Sequence, residues 1–96
     1  MPRKEGSPYQ LHLGEKIPET LYRFDKGTVI YPLDSRQGVL RDSIFAEKTD
    51  RKDRGGLIVY KSKTPIDLYF DRRFWSLPEG TLFGAYSKQA HKVKIE

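Results

Sequence analysis

The sequence predicts an α+β domain: a small antiparallel sheet of five or six short strands with one or two short helices, and a small all-β barrel as the alternative. Three observations carry this reading. Short runs rich in β-branched and aromatic residues recur at 20–24, 28–31, 57–60 and 81–86, and such runs read as strands. The links between them are short and many hold Gly or Pro, which suits antiparallel neighbours. Two stretches between these runs carry apolar residues at helical spacing instead.

Taken in order, residues 1–8 are polar and rich in Pro and Gly and read as a flexible N-terminal arm. Residues 9–96 then form a single globular domain, since a chain of 96 residues is one domain. Tyr9, Leu11 and Leu13 alternate with Gln10 and His12, the period of a short strand. Ile17 before Pro18 sets an extended entry. Residues 20–24 and 28–31 flank Asp25-Lys26-Gly27, which predicts a hairpin with Gly27 in the left-handed region.

Residues 34–48 read as a helix capped by Asp34 or Ser35, with Val39, Leu40, Ile44 and Phe45 on one face; the alternative is a strand through Val39 and Leu40 that continues at Ile44 and Phe45. Gly38 costs such a helix about 1 kcal/mol. Residues 47–54, EKTDRKDR, read as a mixed-charge loop leading to Gly55-Gly56. A phosphate-cradling loop needs a helix to follow, and the strand at 57–60 follows here.

Thr64-Pro65-Ile66-Asp67 has the residue order of a helix start, with threonine as cap and proline at the first helical position. Ile66, Phe70, Phe74 and Leu77 then form one helical stripe, and Pro78 and Gly80 end it. The competing strand reading puts Ile66, Leu68 and Phe70 on one face. Thr81 to Tyr86 and the alternating residues 90–95 complete the sheet, the last with lysines that suit an exposed edge. Leu57, Ile58, Val59, Phe70, Phe74, Leu82 and Phe83 are the expected core.

Composition narrows the function. Charged residues make up 32% of the chain and apolar ones 36%, so the core is small and depends on its aromatic rings. There is no cysteine, which removes disulfides and Cys-based zinc sites and fits a cytoplasmic, reducing setting. No apolar run is long enough to cross a membrane. The net charge of +5 favours an acidic partner, although acids are interleaved with the basic residues throughout.

No catalytic motif is visible. His12 and His91 lie far apart in sequence and neither has metal-ligand spacing, so no metal or cofactor is expected. The serines lack the strained-turn context of a nucleophile.

One set stands out. Tyr60, Lys61, Lys63, Tyr69, Arg72 and Arg73 combine rings with positive charge, the combination that holds single-stranded nucleic acid by stacking and phosphate neutralisation. Phe70, Phe74 and Trp75 read as core, while Tyr60 and Tyr69 suit either role. The helical reading sets Arg73 one turn from Tyr69. The expectation is a small, basic, non-enzymatic module that binds nucleic acid, single-stranded or RNA. The alternative is a protein-interaction module or small inhibitor, because interface centres use the same residue types. A second alternative is a metal-independent, toxin-like ribonuclease drawing on His91, Arg72, Arg73 and Glu79.

Overall fold

The computed structural model describes residues 20–52 and 55–93. The expected arm at 1–8, the strand at 9–13 and His12 lie outside the described residues, as do residues 94 and 95 of the expected last strand. The α+β expectation is overturned. The described chain is a sheet of nine antiparallel strands: β1 (Leu21–Phe24), β2 (Val29–Pro32), β3 (Gly38–Leu40), β4 (Ile44–Lys52), β5 (Ile58–Ser62), β6 (Ile66–Phe70), β7 (Arg73–Leu77), β8 (Leu82–Ala85) and β9 (His91–Lys92). A single 3-10 turn at Ser87–Gln89 is the helical content among the described residues. The small barrel, held as the alternative, is nearer, but the sheet is a curled half-barrel that ends in two edges.

The strand order is β7-β6-β3-β2-β8-β5-β4-β1-β9. The expected hairpin of β1 with β2 is corrected here. Both strands form, and Gly27 has φ +94° as the turn chemistry requires. Yet β1 pairs with β4 and β9, while β2 pairs with β3 and β8. Three strands, β8, β5 and β4, separate β1 from β2. In a flat sheet that gap would be about 19 Å, at the usual strand spacing of about 4.8 Å.

Residues 25–28 cannot span it, because an extended chain covers only about 3.3–3.6 Å per residue. They are also bent, the Thr28 N–H donating to the Asp25 carbonyl oxygen at 3.1 Å. The link from β3 to β4 through residues 41–43 is shorter still and crosses the same gap. The sheet must therefore curl. Two backbone bonds tie the crossing down: Gly27 N–H to the Leu40 oxygen (2.9 Å) and Leu40 N–H to the Thr28 oxygen (2.8 Å).

Curling makes an inside and an outside, and the period of two along each strand sorts side chains between them. Phe24, Tyr60 and Phe83 meet at the centre of the inner face. Phe24 contacts Tyr60 edge-on at 4.8 Å between centroids and Phe83 at 5.4 Å, while Tyr60 and Phe83 stack at 5.8 Å. Ile30, Leu40, Ile44, Ala46, Ile66, Leu68 and Ala85 complete the cluster. Of the expected core, Phe83 lies in it and Leu57 and Val59 are buried outside it. Ile58 and Leu82 are half-buried. Phe70 and Phe74 are exposed, at 38% and 61%.

Both expected helices are strands. Over 34–48 the chain forms β3, a tight link and β4, and β4 runs on through Lys52, so most of the expected 47–54 loop is strand. Gly38 explains part of this. A Cβ there would lie 2.9 Å from Leu68 Cβ and 3.3 Å from the Trp75 ring, so the glycine admits close strand packing rather than weakening a helix. The Thr49 hydroxyl donates to the Val59 oxygen at 2.7 Å and accepts from the Arg51 N–H at 3.1 Å. That side chain anchors the irregularity where the β4–β5 register shifts between Lys48 and Lys52.

The second expected helix is the β6–β7 hairpin. Its turn is Asp71-Arg72, with φ of +53° and +63°. Two successive positive φ values define a turn whose twist matches the flanking strands. Asparagine-glycine or aspartate-glycine usually fills it, and arginine in second place hid it. Ile66, Phe70 and Leu77 share the inner face because Ile66 pairs with Leu77 and Phe70 with Arg73, not because of helical spacing. Phe74, the remaining member of the stripe, falls on the outer face.

Three outcomes follow from this packing. Phe24→Ala should cost about 3–5 kcal/mol in urea unfolding, against at most about 1 kcal/mol for Phe74→Ala, which leaves no buried void. Arg72→Gly should stabilise the fold by roughly 0.5–1 kcal/mol, since the left-handed penalty removed exceeds the entropy glycine adds to the unfolded chain. The third concerns Tyr60, whose phenol is raised above its ordinary value near 10, first by burial and second by the nearby Tyr22 phenol. Above about pH 10 the unfolded chain releases this proton while the folded one holds it, so stability is full below that pH and falls as pH rises through the folded value. The alkaline fall in melting temperature should be shallower in Tyr60→Phe.

Candidate nucleic-acid interface

The outer face near the β7 edge collects the exposed rings. Register places Val29 beside Val39, Val39 beside Tyr69 and Tyr69 beside Phe74, one row across β2, β3, β6 and β7. The valines are half-buried, Tyr69 is 39% exposed and Phe74 more so. The Tyr69 and Phe74 rings sit 4.7 Å apart between centroids, tilted by 47°. Such cross-strand aromatic pairs support a sheet by a few tenths to about 1 kcal/mol.

Arg41 leaves the end of β3 on the same face and lays its guanidinium over Phe74, Cζ 4.2 Å from the ring centre. This is cation–π geometry. The Arg41 backbone N–H donates to the Asp67 oxygen at 3.0 Å, which fixes where the side chain starts. Beside it the 25–27 turn brings up Lys26. Lys26, Gly27, Val39, Leu40, Arg41, Asp42, Tyr69 and Phe74 line an open groove of about 620 Å³.

Among the described residues neither Lys26 nor Arg41 is in an ion pair. Asp25, the nearest acid in sequence to Lys26, is engaged elsewhere: Arg23 Nε lies 2.8 Å and His91 Nε2 3.4 Å from its carboxylate. The groove therefore offers two rings and two cations against one carboxylate, Asp42.

The six residues picked from the sequence do not form one site. Tyr60 is 1% exposed in the core and presents no ring face to a ligand. Lys61 is exposed on β5, opposite Glu47 and Leu82. Lys63 follows β5 with its Nζ 3.5 Å from Glu47. Both lie several strands from Tyr69. Arg72 stands in the exposed hairpin turn. Arg73, expected one helical turn from Tyr69, is its neighbour through neither face nor pairing: it opposes Phe70 on the inner side of the hairpin. Of the six, Tyr69 alone lines the groove.

Arg41, Lys26 and Phe74 were missed as site residues. The 25–27 turn was legible, but only the curl that sets it against β3 makes Lys26 part of a site. Phe74 was assigned to the core by a stripe that the hairpin dissolves.

The ribonuclease set is likewise divided. Arg72 and Arg73 mark the β7 end of the sheet, Glu79 follows β7, and His91 lies on β9 at the other end beside Asp25. Among the described residues no group of three His, Asp or Glu side chains could hold a metal ion, and no helix is long and apolar enough to cross a membrane. Compared with known proteins, the chain matches no family model, no curated protein and no solved structure.

Proposed function

We propose that the protein is a small non-enzymatic module that binds single-stranded nucleic acid on the outer face of β3, β6 and β7. One observation carries the reading: the exposed Tyr69–Phe74 pair, capped by Arg41 at 4.2 Å and flanked by Lys26. A sheet face suits this work. Rings on adjacent strands lie at a spacing that lets successive bases stack, each stacked base adding about 1–3 kcal/mol. Duplexes hide their base faces, so a stacking surface selects single strands. Arg41 and Lys26 supply the phosphate contacts, and the net charge of +5 adds a general attraction. A cytoplasmic setting goes with the reading, supported by the absence of cysteine.

Fluorescence anisotropy with labelled mixed-sequence oligonucleotides at several salt concentrations tests it. Tyr69→Ala and Phe74→Ala should each weaken binding by about 5- to 100-fold. Tyr69→Ala should leave the salt slope unchanged, because stacking releases no counterions. Arg41→Ala should weaken binding and flatten log affinity against log salt by about 0.7. Lys61→Ala should do neither. Wild-type protein that binds no oligonucleotide at low salt would remove nucleic acid and leave a protein partner for the same rings.

A further inference from the structure

Among the described residues the β6–β7 hairpin leaves one long edge of the sheet unpaired, and the direction of its outward backbone groups follows from a single bond. Arg41 N–H donates to the Asp67 oxygen. Asp67 and Tyr69 therefore turn their N–H and C=O groups toward β3, and Ile66, Leu68 and Phe70 turn theirs toward β7. By register, Arg73, Trp75 and Leu77 return those bonds. The backbone groups of Phe74 and Ser76 point away from the sheet, and among the described residues no strand takes them.

The two edges differ in kind. β9 is two residues long and ends on Lys92, the short, lysine-bearing sort of edge that resists pairing. β7 spans five residues with no lysine and no proline inside it. Among the described residues, three of the four exposed large apolar side chains, Tyr69, Phe70 and Phe74, belong to this same hairpin. Exposed apolar surface gathered at one place marks an interaction surface.

We infer that β7 pairs antiparallel with β7 of a second copy of this chain, about a two-fold axis at Trp75. The sequence at the edge selects this register. An axis at Trp75 sets Phe74 opposite Ser76 of the other copy, twice, and these are the residues whose groups are free. Shifting the axis to Ser76 would require an N–H from Pro78, which has none. Shifting it to Phe74 would require Arg72, whose positive φ takes it out of extended backbone. Intermediate shifts would turn the inner face of one copy to the outer face of the other.

At the Trp75 axis Arg73 meets Leu77 rather than another Arg73, so like charges do not face each other. A head-to-tail chain would need β9 as the second edge, and among the described residues that edge offers only the two-residue ladder of His91–Lys92. The contact is therefore isologous and closes at two copies. The inference stands on the edge geometry and the exposed apolar side chains beside it, and does not need the nucleic-acid reading. If both hold, the two aromatic patches lie on one face of a joined sheet.

Sedimentation equilibrium without any ligand tests it, from about 10 µM to about 1 mM, since a self-association follows mass action. The apparent mass should rise from 11.2 kDa toward twice that value. Backbone amide exchange at Phe74 and Ser76 should slow as concentration rises, with no such change at Lys92. Ser76→Pro removes an edge donor and, within the sheet, no backbone bond but the Ser76 hydroxyl's bond to Asp67 Oδ1, and should remain monomeric with its melting transition retained. If that variant fails to fold, Ser76→Lys, which keeps the backbone donor and adds a guard charge, should shift the equilibrium toward monomer by at least tenfold. A wild type that stays at 11.2 kDa throughout overturns the inference and returns the edge to an extended segment of a different protein. A dimer that survives in the folded Ser76 variants, with Phe74 exchange independent of concentration, places the contact elsewhere and equally overturns it.

Discussion

Two short crossings, residues 25–28 and 41–43, govern this structure. Each joins strands with three others between them in the sheet, and neither is long enough to do so across a flat surface. Curvature is thus a condition of connectivity, not a refinement of it. The curvature defines a concave side, and the concave side is where Phe24, Tyr60 and Phe83 can pack ring against ring. It also brings the 25–27 turn against the end of β3, placing Lys26 and Arg41 at one groove. Core and candidate site are two consequences of the same crossings.

Much of the strand content was legible in the sequence. Residues 20–24, 28–31, 57–60 and 81–86 carry strand composition, and each lies largely within a strand of the structure. Gly27 and Gly80 sit where their turns need positive φ. The pairing was not legible, because local pattern says nothing about which distant strand completes a ladder. Leu21 opposes Glu47 and Tyr22 opposes Lys92, choices made by the curled sheet as a whole. The helical readings failed for a definite reason. Ile66, Phe70 and Leu77 fit a period of 3.6 by coincidence, and the true signal, period two interrupted by Asp71-Arg72, lacked the glycine that normally announces such a turn.

The candidate site was partly legible for the same reason. Rings and basic residues near 69–75 could be read from composition, but which side of the backbone each occupies depends on the fold. A helix would have joined Tyr69 to Arg73. The hairpin joins Tyr69 to Phe74 and sends Arg73 to the other face. Arg41, the cation that does cover a ring, comes from far away in sequence and from a segment whose own pattern looked helical. The hairpin also sets exposed surface against stability. Its turn carries a side chain where glycine would be easier, and its outer face shows water the rings that a more stable domain would bury.

The sheet order has a temporal consequence. The strand β1 is flanked by β4 on one side and β9 on the other, and Tyr22 finds its second partner only at Lys92. A chain emerging from a ribosome exposes β1 long before β9 exists, and β2 waits in the same way for Phe83 and Gly84 of β8. Pairings this distant in sequence demand that loop entropy be spent before any contact repays it, which slows the search for the native state. The hairpin of β6 with β7, by contrast, needs only its own two strands and a tight turn, and hairpins of this kind form in microseconds. The aromatic surface can therefore take shape early, while the domain that supports it closes last.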